Sequence, residues 1–370
     1  MSTLTASETN LVLATVPILE KGGEQLTTHF YKRMMSHNPE VRKFFNQTHQ
    51  KDGSQARALA RAVLLYAKNI NNLDALGPVA SVIIQKHVAL DIQPEQYPIV
   101  GTNLLASMRE VLGPDVATDD IMSAWAKAYD LLAGILIDAE RVAYNQIEQT
   151  DGGWAGFRSF KVAKKIKETS DVSSFILVPA DGKLAYKGIA GQYITVRAEI
   201  DGQEHRRNYT VSAAPSNKDY RITVKNMGTV SGYVHSLNEG DVLDVRPPCG
   251  EFIVEAKEDE NLLFIAGGVG ITPIASMVLS GAKGTLLYYA RDENEHALAG
   301  ELKSLDGVNL VTKVGRPTLD DIKSLVNSKT HVYTTGPEGF MDFIYEKLNE
   351  LELPQNQAHF EFFQSFQNLQ

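Results

Sequence analysis

The spacing of apolar residues changes twice along this chain, and each spacing restricts the local fold. From Ser7 to Ile147 the apolar residues recur at helical intervals, with turn signals between the segments. After a polar break at 149–153, short alternating stretches follow, bounded by Asp-Gly and Pro signals. From about residue 258, strand-like and helix-like segments alternate. The sequence therefore predicts a multidomain protein, with an all-α domain over 1–148, a β-rich domain over 155–257 and an α/β domain over 258–370.

Composition and charge argue against several classes of protein. The 370 residues contain no apolar run that could span a bilayer, and the segment MSTLTASETN lacks the basic and apolar parts of a secretory signal. A net charge of −9 argues against a nucleic-acid partner. The single cysteine, Cys249, allows neither an internal disulfide nor a cysteine-rich metal site. We therefore expect a cytoplasmic protein without a transmembrane segment.

One predicted helix, over residues 79–90, carries a histidine on its apolar side. Val79, Ile83 and His87 fall on one stripe, so the imidazole is expected to face a core. Two interpretations are open. A lone buried histidine usually bonds to a backbone carbonyl. The alternative is an axial ligand to haem iron, whose second ring nitrogen is held by an acceptor.

Other helical positions bear on this choice. In the last long helix Glu140 stands on a stripe of leucines, and a buried carboxylate costs several kcal/mol unless strong donors such as a histidine N–H and a tyrosine O–H engage it. Tyr97 opens an earlier helix, Tyr31 lies on another, and Gln55 stands one turn before Leu59. Taken singly, Tyr31 is commonly a core aromatic and Gln55 a solvated first-turn residue.

Five short segments of the second part are predicted to be strands, and their spacing suggests a small antiparallel β-barrel. They cover 175–178, 193–196, 209–212, 220–224 and 242–245. Within the run RRNYTVS, alternation places Arg207 and Tyr209 on one face and Asn208 and Thr210 on the other. Cys249, in the sequence PPCG, is predicted to be a turn residue rather than a nucleophile.

The third part contains a buried-strand run at 262–266, the turn GGVGITP and a helix predicted over 274–279. Thr272 is suited to cap this helix and Pro273 to its first position, and the N–H groups of the turn would face an anion. Pro273 stands where the third glycine of the dinucleotide fingerprint would be, which departs from a standard Rossmann dehydrogenase. A second strand, turn and helix pattern surrounds Gly336 and Pro337.

In the first part, the segments HFYKRM, NPEVRKFFNQ, QKH and PEQYPIVG, together with the Glu140 helix, resemble the globin domain of bacterial and yeast flavohaemoglobins. The resemblance implies that His87 is the proximal haem ligand and that Tyr97 and Glu140 form hydrogen bonds with it. A carboxylate acting on the imidazole N–H would favour oxygen chemistry over reversible oxygen carriage. The other haem-pocket residues that it implies are Tyr31, Gln55, Phe45, Leu59 and Lys86. Lys86 is equally well explained as a solvated lysine.

The run RRNYTVS, with GQY before it and GTVS after it, resembles the FAD-binding barrel of the ferredoxin–NADP reductase superfamily, and GGVGITP resembles the α/β NAD(P)-binding lobe of that superfamily. Arg207 would then pair with the FAD pyrophosphate, and Tyr209 would stack on the flavin. The residues implied for FAD are Tyr193, Arg207, Asn208, Tyr209, Thr210, Gly228, Thr229, Val230, Ser231, Glu361, Phe362 and Phe363. Those implied for NAD(P)H are Gly268, Val269, Gly270, Ile271, Thr272, Pro273, Gly336 and Pro337.

Some positions depart from the superfamily pattern. Thr335 stands where a cysteine is frequent, and Gln364-Ser365 stands where Gly-Pro is usual. The choice between NADH and NADPH stays open, with a lean to NADH, because Asp292 and Glu293 would oppose a 2′-phosphate that Arg291 would attract.

The resemblance covers essentially the whole chain. It implies a nitric oxide dioxygenase that detoxifies nitric oxide, converting NO and O₂ to nitrate with electrons from NAD(P)H through FAD and haem b. No separate electron-transfer partner would be needed. Two alternatives are a haem-based O₂ or NO sensor whose reductase resets the iron, and an NADH-driven reductase of ferric compounds, quinones or lipid hydroperoxides.

Overall fold

The computed structural model describes residues 3–45, 53–257 and 260–363. They divide into two compact units, one ending at Gln146 and the other beginning at Ile147. The first unit is helical, and the second contains an antiparallel sheet followed by a parallel sheet with helices. This order confirms the predicted fold class, whereas the exact bounds of the three domains stay predictions.

The described part of the helical unit contains six α-helices and two short 3₁₀ segments, at Pro39–Phe44 and Leu73–Leu76. The helices are α1 (Ala6–Ala14), α2 (Val16–His37), α3 (Ser54–Lys68), α4 (Gly77–Leu90), α5 (Gln96–Leu112) and α6 (Asp119–Gln149). Their apolar faces form a core that includes the buried side chains of Leu26, Met108 and Trp125.

Local sequence explains where helix α4 begins and ends. Pro78 lies in its first turn, where the missing N–H removes no helical hydrogen bond. Asp91 ends the helix in the left-handed conformation, with φ of 62°. These boundaries leave His87 in the last turn of α4.

The antiparallel sheet has six strands in the order β4-β3-β6-β1-β2-β5. They are β1 (Arg158–Lys167), β2 (Val172–Pro179), β3 (Tyr193–Ile200), β4 (Gln203–Thr210), β5 (Tyr220–Lys225) and β6 (Val242–Val245), and helix α7 (Thr229–Ser236) follows β5. Strand β4 lies earlier than the predicted segment 209–212. A single bridge, between Val211 and Ile222, connects the chain beyond β4 to the other edge strand, β5. The antiparallel sheet is therefore observed, and closure of a barrel stays a prediction.

The parallel sheet has the order β11-β10-β7-β8-β9. Its strands are β7 (Asn261–Gly267), β8 (Gly284–Ala290), β9 (Val308–Val314), β10 (Thr330–Thr335) and β11 (Ala358–Glu361). The helices between them are α8 (Ile271–Leu279), α9 (Ala299–Leu302), α10 (Leu319–Lys323) and α11 (Glu338–Glu350). Among the residues described, no helix combines the length and the hydropathy needed to cross a membrane.

The predicted start of the first helix in the parallel-sheet lobe was wrong. Helix α8 begins at Ile271, with Gly270 in the N-cap position, so Thr272 does not cap it and instead donates from its hydroxyl to the carbonyl of Val269 at 3.1 Å. Strand β11 ends at Glu361, which leaves Phe362 and Phe363 beyond it.

Candidate functional site

Three polar side chains meet inside the helical unit. His87 on α4 donates from Nδ1 to Oε1 of Glu140 on α6 at 2.7 Å, and the Tyr97 hydroxyl on α5 donates to the same oxygen at 2.6 Å. Glu140 is only 2% exposed, so its carboxylate depends on these donors. Because Nδ1 is engaged, Nε2 is the imidazole nitrogen left for a ligand.

Electrostatics keep Tyr97 a donor. Burial and then the hydrogen bond to Glu140 raise the pKa of the Tyr97 hydroxyl above its ordinary value, so the phenol stays protonated near neutral pH. The His87 side chain is 31% exposed, whereas that of Glu140 is 3% exposed. The histidine therefore presents part of its ring to open space, while its orienting carboxylate stays buried.

Residues that the sequence interpretation missed hold this cluster in place. The Tyr129 hydroxyl donates to the Tyr97 carbonyl at 2.6 Å, and the Tyr144 hydroxyl donates to the Ile92 carbonyl at 2.7 Å. Gly101 lies against the Tyr129 ring, where a Cβ would be 2.5 Å from Cε1. The available signal was the spacing of Tyr129, Glu140 and Tyr144 along one side of α6.

The predicted distal residues lie on α2, on α3 and after the first 3₁₀ segment. Tyr31 packs edge-on against Phe45, with ring centroids 5.6 Å apart, and both share an apolar cluster with Leu59 and Tyr129. Tyr129 also belongs to the cluster that surrounds Tyr97, so it connects the two. Gln55 is half-buried in the first turn of α3. The structure thus brings Tyr31, Phe45 and Leu59 together.

A cavity of about 360 Å³ lies beside Tyr31, with Met35, Arg42 and Ala56 in its lining. Burial raises the pKa of the Tyr31 hydroxyl above its ordinary value. The phenol is therefore a protonated donor near neutral pH. Lys86, which precedes the histidine on α4, is half-buried.

The predicted flavin residues of the antiparallel sheet lie on the β3–β4 hairpin. Tyr193 is paired with Thr210, and Thr195 is paired with Asn208, to whose Oδ1 it donates at 2.8 Å. Arg207 is half-buried, and burial lowers the pKa of its guanidinium, which remains positively charged at neutral pH. The hairpin therefore brings all five predicted side chains into one structural element.

Arg207 and Tyr209 face the same side of β4, as the alternation predicts. Burial raises the pKa of the Tyr209 hydroxyl, and the positive charge of Arg207 acts in the opposite direction. Tyr209 also packs against the apolar core of the sheet. One face of β4 thus presents a cation next to an aromatic ring.

Cys249 supports this hairpin from within the core. It exchanges two backbone hydrogen bonds of 2.9 Å with Tyr193 and is 1% exposed. Burial raises the pKa of its thiol to about 12. These features favour the structural role predicted for Cys249.

The turn before α7 is organised by Ser231. Its Oγ accepts hydrogen bonds of 2.9 Å from the N–H groups of Met227 and Gly228 and donates to the Gly228 carbonyl. The N–H of Gly228 is thus already engaged. The N–H groups of Thr229, Val230 and Ser231, in the first turn of α7, are the ones placed to bind an anion.

The two glycine turns of the parallel sheet are in direct backbone contact. Strands β7 and β10 are neighbours, and a Cβ on Gly270 would lie 2.6 Å from the Thr335 carbonyl oxygen and 2.8 Å from the Gly336 nitrogen. On Gly336 a Cβ would lie 2.7 Å from the Phe340 ring. The predicted nucleotide residues, Gly268–Pro273 and Gly336-Pro337, therefore meet at the carboxyl ends of two adjacent strands.

The end of β11 lies close to both groups of predicted residues. Glu361 is paired with Thr335 across the β10–β11 ladder. Burial and then the negative charge of Glu361 raise the pKa of the Tyr193 hydroxyl, which places the carboxylate within electrostatic range of the hairpin. Phe363 is 45% exposed. Gln364 and Ser365, the second departure from the superfamily pattern, lie outside the described residues.

Known families match two parts of the chain. A Globin model matches residues 28–136, and an Oxidoreductase FAD-binding domain model matches residues 159–253. A flavohemoprotein of Halalkalibacterium halodurans is 42% identical, covering 98% of this chain and 98% of its own length. A flavohemoprotein of Pseudomonas putida is also 42% identical, covering 97% of this chain and 98% of its own.

Solved structures extend the similarity to the fold. A flavohemoglobin from Malassezia yamatoensis, solved with bound FAD and heme, is 28% identical with a TM-score of 0.87, covering 98% of this chain and 100% of that one. The FAD/NAD-binding domain of a nitric oxide dioxygenase from Vibrio cholerae is 29% identical with a TM-score of 0.52, covering 58% of this chain and 100% of that domain.

Proposed function

The chain belongs to the flavohaemoprotein family, and on that premise we propose that it is a nitric oxide dioxygenase, which converts NO and O₂ to nitrate with electrons from NAD(P)H through FAD and haem b. The observation that supports this most is the Glu140 carboxylate, which accepts hydrogen bonds from both His87 and Tyr97. The proposal includes the predicted role in detoxifying nitric oxide and the cytoplasmic location.

The residues around His87 fit a haem. The imidazole is oriented through Nδ1, which leaves Nε2 for iron, and half-buried apolar side chains such as Ile83, Ile84 and Leu132 lie nearby. A histidine with a purely structural role more commonly bonds to a backbone carbonyl than to a buried carboxylate. When bound, haem supplies an iron that binds and activates O₂.

Glu140 acts through the imidazole of His87. By accepting the Nδ1 proton in a strong hydrogen bond, it gives the ring imidazolate character and makes Nε2 a better electron donor. Tyr97 holds the carboxylate in position and satisfies one of its lone pairs. This arrangement favours oxygen chemistry over reversible binding.

Tyr31 is proposed as the distal donor. Its hydroxyl stays protonated because burial raises its pKa, and it borders the cavity beside α3. A fixed O–H beside the apolar side chains of Phe45 and Leu59 would stabilise negative charge that develops on oxygen during reduction. Gln55, in the first turn of α3, is proposed to assist through its amide, and Leu59 and Phe45 to exclude water.

The second unit fits the flavin and the nucleotide. Arg207 offers a half-buried guanidinium for a pyrophosphate, and the first turn of α7 offers N–H groups. At the parallel sheet, Gly270 and Gly336 allow the backbones of the two turns proposed to bind the nicotinamide to approach each other closely. NADH is the proposed reductant, because the Asp292 carboxylate, in the turn after β8, would oppose a 2′-phosphate. Both cofactor sites lie in one chain, so no separate electron-transfer partner is required.

The test is aerobic consumption of nitric oxide by the purified protein with NADH, with nitrate as the measured product. Tyr31→Phe should lower turnover about tenfold or more, because one donor to the developing charge is lost. His87→Ala should abolish turnover together with the haem Soret band, while His37→Ala, at the exposed end of α2, should change neither. Unchanged turnover in a haem-free protein would contradict the proposal.

The nitric oxide assay, together with assays of the other electron acceptors, distinguishes a dioxygenase from the two alternative functions. A sensor would bind nitric oxide without sustained nitrate formation. A reductase of ferric compounds, quinones or lipid hydroperoxides would turn over those acceptors equally well with or without haem. The flavin absorption and the NADH dependence alone do not distinguish the three.

A further inference from the structure

Helix α8 connects the nucleotide turn to the antiparallel sheet. It begins at Ile271, directly after the glycine turn, and the turn packs against β5. From this helix Ser276 donates through Oγ to the Ala213 carbonyl at 2.7 Å, and Ser276 is 1% exposed. Its neighbour Met277 packs on Gly191, where a Cβ would lie 2.8 Å from the Met277 methyl carbon. Helix α8 therefore touches the chain on both sides of the β3–β4 hairpin.

A second connection lies beside the first. Arg221 on β5 donates from Nη2 to the Ser212 carbonyl at 2.6 Å, from Nε to the Ser212 Oγ at 3.2 Å, and from Nη1 to Oε2 of Glu301 on α9 at 2.7 Å. The Arg221 side chain is only 12% exposed. One guanidinium thus holds the chain immediately after β4 and the parallel-sheet lobe at the same time.

These contacts connect the residues proposed to bind the flavin with the residues proposed to bind the nucleotide. The hairpin carries the proposed flavin residues, and the turn before α8 carries the proposed nucleotide residues. Hydride transfer oxidises the dihydronicotinamide and reduces the flavin by the same two electrons, and it requires the reacting atoms to be about 3–3.5 Å apart. A displacement of about 1 Å is enough to slow such a step severely.

Building on the proposed function, we propose that Ser276 and Arg221 are positioning residues that set the alignment of the nicotinamide with the flavin. Neither side chain bonds directly to a residue proposed to bind the flavin or the nucleotide. Ser276 acts through the Ala213 carbonyl, three residues after Thr210, and Arg221 acts through Ser212 and Glu301. Their removal should disturb alignment more than binding.

Anaerobic stopped-flow reduction of the flavin in the purified holoprotein tests this. In Ser276→Ala and Glu301→Gln, the limiting rate with NADH should fall about tenfold, while the Kd for NADH changes less than twofold. Reduction by dithionite, which needs no alignment, should keep its wild-type rate. Without nucleotide, backbone amides around residues 211–216 should exchange with deuterium faster in Ser276→Ala than in the wild type.

One control is Ser280→Ala, which removes a hydroxyl that donates to the main-chain carbonyl of Ser276 and leaves the Ser276 side chain in place. The other is Glu346→Gln, which neutralises an exposed carboxylate on α11. Both should reduce at the wild-type rate. Wild-type limiting rates in the test variants would overturn the proposal, and so would a parallel loss of FAD and thermal stability, which would indicate a structural role. Nitric oxide is absent from this assay, so a protein that fails as a dioxygenase still gives a clear result here.

Discussion

Glu140 and His87 are 53 positions apart in the sequence, yet Oε1 of the glutamate lies 2.7 Å from Nδ1 of the imidazole. Glu140→Gln keeps an acceptor but removes the charge. We expect about tenfold slower nitric oxide turnover with haem retained, and a lower iron–histidine stretching frequency by resonance Raman spectroscopy. Asp138→Asn, which breaks only the exposed ion pair with Arg141 on the same helix, is the control. A wild-type frequency in Glu140→Gln would contradict this role.

Gly101 should not tolerate a methyl group. An alanine Cβ there would lie 2.5 Å from Cε1 of Tyr129, whose hydroxyl holds the Tyr97 carbonyl. Gly101→Ala is expected to lower the free energy of unfolding by about 1–3 kcal/mol, measured by urea titration, and to weaken haem retention. Gly134→Ala, on α6 with nothing within 4 Å of its Cβ, should be neutral or slightly stabilising. Equal stability of the two variants would show that the Tyr129 ring moves freely.

Gly270 is expected to be required for nucleotide binding. Its alanine Cβ would lie 2.6 Å from the Thr335 carbonyl oxygen, which would push apart the turns after β7 and β10. Gly270→Ala should weaken NADH binding about tenfold, equivalent to about 1.4 kcal/mol, in a fluorescence titration. The control Gly339→Ala has open space around its Cβ on α11 and should bind as the wild type does. Tight NADH binding in both variants would contradict a nucleotide site formed by these turns.

His359 should make stability depend on pH. Its ring stacks on Tyr333 with centroids 4.3 Å apart and shares a hydrogen bond of 3.1 Å with His331, which in turn contacts Glu260. Burial and then the charge of His331 lower the pKa of His359 to about 4. As pH falls from about 6.5 towards 4, the unfolded chain therefore takes up a proton that the folded ring does not, and stability decreases.

His359→Phe keeps the stacking and removes the titration. Between pH 6.5 and 4 the wild type should lose about 1–2 kcal/mol more stability than this variant, a figure reduced from the full shift because the ring is partly exposed. Urea titrations at several pH values measure the difference. His37→Phe, at the exposed end of α2, should follow the wild-type profile. If the free energy of unfolding of His359→Phe depended on pH as that of the wild type does, His359 would not be the origin of the pH dependence.

Periodic patterns in the local sequence correctly predicted which side of a helix or strand several residues occupy. The apolar stripe placed His87 and Glu140 towards a common interior, and the energetic cost of a buried carboxylate indicated that donors would meet it. Alternation correctly placed Arg207 and Tyr209 on one face of β4. Strands β7 and β10 were predicted because each is followed by a glycine turn and a helix pattern.

What escaped prediction depends on contacts between distant segments. Strand β1 was not among the predicted strands, although buried Phe160 and Val162 alternate with exposed residues. Nothing in the local sequence links Ser276 to Ala213, 63 positions away. The start of α8 was misplaced because Thr272 and Pro273 are common at helix starts, whereas here the tight backbone approach at Gly270 sets the boundary.

The burial of Cys249 has a consequence for a protein proposed to work among reactive nitrogen and oxygen species. Nitrosation and peroxide oxidation of proteins proceed through exposed thiolates. Cys249, the one cysteine of this chain, is 1% exposed, and burial raises the pKa of its thiol to about 12, so in the folded chain it is neither accessible nor ionised near neutral pH. We therefore expect this thiol to resist nitrosation and oxidation during turnover of the proposed reaction.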